Sequence, residues 1–300
     1  MTAPGPIDFL PVAFGFVWQF GAYVCVAQFT AYAYDWLISI PEECAMVANS
    51  GITWSISIYF LSRVCEFTFL GLILLFGLVT IENCQLLIDM TGMVGVIGGA
   101  ATTFLFFLRV RAVYMKSTRV TALFGALWLV TLALGIFAAT TLRAGHIPST
   151  QYCLDTSVNY VTLPSISTFA HDTTVFLAIS YRLAADAATE LTWRSRVLSV
   201  IKGKGLHSLS KSLMQSGQKY YFATVLFFLA NLALLVSPVP PSARFALTTM
   251  HLGFTNIMAC HVFRGVALGA IERTPTGLSS TRIAAAFQLS PMSSGAVKVS

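Results

Sequence analysis

Residues Cys84–Lys116 read CQLLIDMTGMVGVIGGAATTFLFFLRVRAVYMK. The run from Met90 to Leu108 carries no charge, and Arg109, Arg111 and Lys116 follow it closely. A lipid-embedded backbone must satisfy its amides internally, and about 20 largely apolar residues suffice for a helix to cross. The stretch therefore predicts a membrane-crossing helix with a cysteine at one end and clustered positive charge at the other. Gly92, Gly95, Gly98 and Gly99 lie at helical spacing, and Gly95 and Gly99 form a G-x-x-x-G pattern that suits close helix packing.

Composition extends this reading to the whole chain. Hydrophobic residues make up 56% and charged residues 10%, whereas soluble domains average roughly 45–50% and about 25%. Seven apolar segments meet the length test, at about 11–34, 52–80, 90–108, 120–142, 162–181, 220–236 and 245–268. The expected fold is all-α, a polytopic seven-transmembrane-helix bundle over 1–270, followed by a disordered cytosolic tail over 271–300. Residues 1–10 contain no Lys or Arg, so the first segment reads as a retained span and not as a signal peptide.

Orientation follows from basic residues, which gather on the cytosolic side. Fifteen of the 18 Lys and Arg fall after the third and fifth segments and at the end of the seventh, against Arg143 and Arg244 on the opposite face and Arg63 within a segment. The N-terminus is expected outside and the C-terminus in the cytosol, in the plasma membrane or another secretory-pathway membrane. The net charge of +6 thus reflects topology, and no nucleic-acid partner is expected. Residues 35–51 are expected to be the first cytosolic loop, acidic and without a basic residue.

Within and beside that loop stand Tyr34-Asp35-Trp36-Leu37, Ile40-Pro41-Glu42-Glu43, Trp54-Ser55 and Leu61-Ser62-Arg63. This pattern resembles the signature of a fungal family of multi-pass membrane proteins carrying the domain of unknown function 6533. Phe107–Tyr114 and Asp172–Leu177 extend the likeness. In that family Arg and Lys usually follow the acidic pair, whereas Ala45–Thr53 has none. The resemblance implies a seven-helix membrane protein, with Tyr34, Asp35, Glu42, Glu43 and Arg63 as motif residues, and it implies no reaction.

Four constellations are candidates for function. Cys84 and Cys153 both fall on the outer side, where disulfides persist; they are either bonded or two free thiols. Arg63 and Glu66, three apart on one helix, can face each other, and with His171 and Asp172 they form a candidate intramembrane polar site. Ionisable groups in hydrocarbon must be paired or line a wet cavity, so these four are either a ligand or proton site or internal clamps. Arg109, Arg111, Lys116, Arg194, Arg196, Lys202 and Lys204 form a candidate surface for a cytosolic signalling partner or for anionic lipid of the bilayer. No H-E-x-x-H, P-loop or G-x-S-x-G occurs, so neither an enzyme, a cofactor nor a metal site is expected. The leading expectation is a receptor-like protein with an unidentified ligand; a transporter or channel and a scaffold remain open. A retinal-bearing receptor is disfavoured because 245–268 holds no lysine.

Overall fold

The computed structural model describes residues 12–115, 117–146, 152–157, 162–189, 226, 227, 229 and 241–268. They form six long helices in chain order: α1 (Val12–Ser50), α2 (Trp54–Leu78), α3 (Cys84–Val113), α4 (Thr118–Thr141), α5 (Thr162–Thr189) and α6 (Pro241–Ala267). Two short strands, β1 (Arg143–His146) and β2 (Cys153–Ser157), pair antiparallel between α4 and α5. The fold is thus helical with one hairpin, where the sequence suggested helices alone. Leu226, Phe227 and Leu229 are helical; the rest of the expected sixth segment and the 271–300 tail lie outside the described residues.

Among the described residues three helices, α2, α3 and α4, are long and apolar enough to cross a membrane, and the chain is an integral membrane protein. Of these α3 is the most buried and α4 the least, so α3 lies inside the bundle while α4 presents most of its surface outward. The α3 helix begins at Cys84, six residues before the apolar run, because Asn83 caps it by accepting from Leu86 N at 3.0 Å. On its inner side Phe106 and Val110 pack with Val175 and Ile179 of α5 and Ala259 and Val262 of α6.

The expected loop over 35–51 is not a loop. It continues α1 to 39 residues, about 58 Å at 1.5 Å per residue. Pro41 lies inside it; its ring removes one helical donor. What compensates is lateral, since the acidic side of this extension packs on α2 and α6. Gly51 ends the helix with φ of +66°, a left-handed position that glycine adopts without Cβ strain, and its N–H bonds Val47 O at 2.9 Å.

Glycines in α3 do bring backbones together, in a different pattern from the one expected. A Cβ on Gly98 would lie 3.2 Å from Cys65 Cβ, one on Gly95 2.9 Å from the Phe69 ring, and one on Gly92 3.2 Å from Leu142. Gly99 has open space beside it. The close face toward α2 is therefore Gly95 with Gly98, one turn apart, and not Gly95 with Gly99.

At the end of the bundle where α3 begins, Cys84 is bonded to Cys153 of β2. In the loop-entropy view, closing a loop of about 70 residues restricts the unfolded chain by roughly 4 kcal/mol. The hairpin is held further by Gln85, which donates to Leu142 O at 3.3 Å and accepts from Ala144 N at 3.1 Å, and by His146 Nε2 donating to Ile81 O at 3.0 Å.

Candidate functional site

Asp35 and Glu42 are two turns apart on α1, and Glu43 is one residue further; on a continuous helix all three fall on neighbouring stripes. They face Tyr59 and Arg63, one turn apart on α2, and His261 and Arg264, one turn apart on α6. The result is an ion-pair cluster joining three helices near the α1–α2 turn.

Arg63 is 1% exposed. Its Nη2 donates to Asp35 Oδ2 at 2.9 Å and its Nη1 to the Tyr59 hydroxyl at 3.2 Å. Its Nε lies 3.2 Å from Glu43 Oε1, an ion-pair contact without hydrogen-bond alignment. The guanidinium also sits 5.7 Å from the Trp36 ring centroid and 6.0 Å from that of Tyr32, within cation–π range. Arg264, equally buried, donates from Nε to Glu42 Oε2 at 2.9 Å and from Nη1 to Tyr59 at 2.9 Å. Two desolvated guanidiniums thus meet three carboxylates, the condition under which buried charge is tolerated.

His261 bridges the two halves. Its Nδ1 accepts from Arg264 Nη2 at 3.1 Å while its Nε2 donates to Asp35 Oδ1 at 2.8 Å, which uses the Nε2–H tautomer. Burial pushes the Asp35 carboxyl up, but the His261 hydrogen bond and the charges of Arg63 and Arg264 outweigh it and hold the group below its ordinary value of 3.8. The cluster opens to its surroundings at Glu42, whose side chain is 55% exposed, and at His261.

One level deeper a neutral network repeats the same crossing. Tyr32 of α1 donates to Asn256 Oδ1 at 2.7 Å, and Asn256 Nδ2 donates to Ser62 Oγ of α2 at 2.7 Å and Thr102 Oγ1 of α3 at 2.8 Å. Hydroxyls and an amide can satisfy one another inside a membrane bundle without any net charge.

The site residues expected from sequence are distributed differently. Asp35, Glu42, Glu43 and Arg63 converge, whereas Tyr34 points away at 65% exposure. The expected Arg63–Glu66 pair does not form: Arg63 turns to α1, and Glu66 is buried with Oε1 unpartnered. The reason is charge density, since two carboxylates of α1 reach Arg63 in a more favourable place than its own helix provides. His171 Nδ1 and Asp172 Oδ1 lie 3.1 Å apart on α5. Among the described residues no hydrogen bond or ion pair joins them to Arg63 or Glu66. Arg109, expected on a partner surface, is 7% exposed, within α3, which continues to Val113. Arg111 is half-buried in the last turn of α3. Lys116, Arg194, Arg196, Lys202 and Lys204 lie outside the described residues.

His261, Arg264, Tyr59 and Asn256 were not singled out as site residues from sequence. The available signal was charge balance: three acidic residues without a local base, in a chain this poor in charge, require a cation elsewhere, and Arg264 sits inside an apolar segment. Cys84, His146 and Cys153 place three ligand-type atoms within 4.8 Å of one another, but the two sulfurs are bonded to each other and hold no thiolate for a metal. A groove of about 700 Å³ between α2, α3 and α4 is lined by Leu61, Asp89, Met93, Ile97, Trp128 and Ile136 among others.

Residues 23–67 match the family of unknown function (DUF6533). The matched segment supplies Tyr32, Asp35, Glu42, Glu43, Tyr59 and Arg63, the α1–α2 half of the cluster; His261 and Arg264 come from outside it. No curated protein matches the chain.

Proposed function

We propose that this chain is a receptor-like membrane protein of seven spans, with the N-terminus outside, the C-terminus cytosolic and no catalytic role. The observation that carries the reading is the ion-pair cluster that ties α1 and α2 to α6 through Arg63 and Arg264. Buried hydrogen-bonded charges do not slide continuously; they exchange between discrete pairings, which makes such a cluster a two-state element. A small ligand bound between the helices shifts that equilibrium only if it favours one pairing. The readout is a change in how the end of α6 sits against α1, presented to a cytosolic partner together with the basic segment 182–219. The one-domain organisation over 1–270 with a cytosolic tail, and a place in the plasma membrane or another secretory-pathway membrane, belong to the same reading.

Spin labels at Ser50 and Ala267, at the ends of α1 and α6, test it in the full chain reconstituted in nanodiscs. The wild type is expected to give one dominant distance and Arg264→Gln a second, longer population. A single unchanged distance in the variant overturns the switch. Transport is the second reading, favoured by the unpartnered polar atoms of Glu66, His171 and Asp172 inside the bundle; solute flux in proteoliposomes that Asp172→Asn abolishes selects it instead.

A further inference from the structure

The groove between α2, α3 and α4 has a volume of about 700 Å³, within the range of sites that hold one small molecule. Leu61, Met93, Ile97 and Ile136 line it and are exposed, beside α4, the helix that presents most of its surface outward. An apolar groove offers water too few partners, so in a bilayer it fills with hydrocarbon.

One lining residue is charged. Asp89 stands immediately before the apolar run Met90–Leu108, which puts its carboxylate at the level where hydrocarbon gives way to headgroups. The end of α4 reaches the same level: a Cβ on Gly92 would lie 3.3 Å from Ala139 Cβ and 3.2 Å from Leu142, and Ala139 and Thr140 also line the groove. Asp89 Oδ1 accepts from Gln85 Nε2 at 2.7 Å, and Gln85 is itself fixed by Leu142 O and Ala144 N. Gln85 brings no charge, and among the described residues no ion pair reaches Asp89. A carboxylate has about four acceptor positions, and the lining donors of α4 are committed elsewhere, Thr140 Oγ1 to Phe137 O at 2.7 Å and Trp128 Nε1 to Ala100 O at 3.0 Å. From Asp89 the α3 lining continues through Val96 and Ala100 to Phe104, about 22 Å along the helix. One leaflet of a core about 30 Å thick is about 15 Å deep, so the groove is long enough for a single chain with its headgroup at Asp89.

We propose that this groove binds a single-chain lipid amine, its ammonium against Asp89 and its chain between α2, α3 and α4. A phosphate-bearing headgroup is repelled by the carboxylate, and a neutral one leaves it without the countercharge that ionised groups in a membrane require. An ammonium carries three donors and a positive charge, which is what Gln85 does not supply. Asp35, Arg63 and Arg264 are not among the lining residues, so binding here does not depend on the ion-pair cluster acting as a switch.

The test uses the full chain in nanodiscs of zwitterionic lipid and the quenching of Trp128 fluorescence, read as wild type minus Trp128→Phe. The quenchers are octadecylamine and octadecanol brominated in the same place on the chain, which differ only in headgroup. The amine is expected to quench saturably, at a mole fraction about tenfold lower than the alcohol, as for one hydrogen bond to a charged group. In Asp89→Asn the amine is expected to fall back to the alcohol's value while the alcohol is unchanged. Equal values for amine and alcohol in the wild type overturn the proposal. So does relief of the quenching by cholesterol at a lower mole fraction than by unlabelled octadecylamine, which makes the occupant a sterol. The absence of saturable quenching, with the groove covered by a second copy of the chain or by nothing specific, overturns it as well. The comparison of amine with alcohol in the wild type decides the matter even if Asp89→Asn does not fold.

Discussion

Tyr59 has one proton to give and two lone pairs with which to receive, and the cluster uses all three. Its hydroxyl donates to Glu43 Oε1 at 2.6 Å and accepts from Arg63 and Arg264, while its ring stacks on Phe263 with centroids 5.2 Å apart. Tyr59→Phe keeps the stacking and leaves three buried charged groups each short of one bond, so it is expected to destabilise the protein by about 3 kcal/mol. Tyr34→Phe, in the same motif but exposed, is expected to change nothing measurable in the same unfolding assay. Asp35 adds a pH signature. Its folded value is depressed, so its stabilisation is complete above the ordinary value of 3.8 and is lost as the pH falls through the lower folded value. Thermal unfolding between pH 6 and pH 3 is expected to show Tm falling at the acid end in the wild type and falling less in Asp35→Asn.

At the scale of elements, the α2–α3 contact depends on side chains that are not there. Valine at Gly98 would drive its methyls into Cys65 and toward the α2 backbone, which lies 3.5 Å from the Cβ position. Backbone cannot step aside as a flexible side chain can, so Gly98→Val is expected to cost about 1–3 kcal/mol. Gly99→Val, one residue on, meets nothing within 4 Å and is expected to fold as the wild type does. If the two variants unfold alike, α2 and α3 do not pack through this face. The α1 extension obeys a related logic, since Pro41 weakens the helix locally while the partners of Asp35, Glu42 and Glu43 hold it laterally.

The whole molecule is organised by which end each polar feature occupies. The disulfide and hairpin lie at the end where α3 begins, the ion-pair cluster near the end where α1 turns into α2, and the basic segment 182–219 starts within the last turns of α5 and runs on beyond it in sequence. With the orientation proposed above, an epitope inserted after Lys204 is expected to resist protease added outside intact cells and to be cleaved after permeabilisation. A tag at the N-terminus is expected to behave in the reverse sense; the same exposure for both sinks the seven-span topology.

Much of this was legible from the chain itself. Apolar length set the membrane-crossing helices α2, α3 and α4, and the cysteines at 84 and 153 were readable as a candidate bond because both fall on the expected outer side, where disulfides persist. These are local properties, set by composition and spacing along a few tens of residues. Partner choice is not local. Glu42 and Arg264 are 222 positions apart, and nothing in either neighbourhood announces the other. Arg63 and Glu66 have the spacing of an ion pair, yet packing brings Asp35 and Glu43 to the guanidinium and leaves Glu66 Oε1 without a hydrogen-bond partner. The sequence by itself determined that this is a helical membrane protein with an acidic motif after its first apolar run. Only the tertiary structure decided that the motif is helix and not loop, because a buried charge takes whichever opposite charge the bundle places beside it.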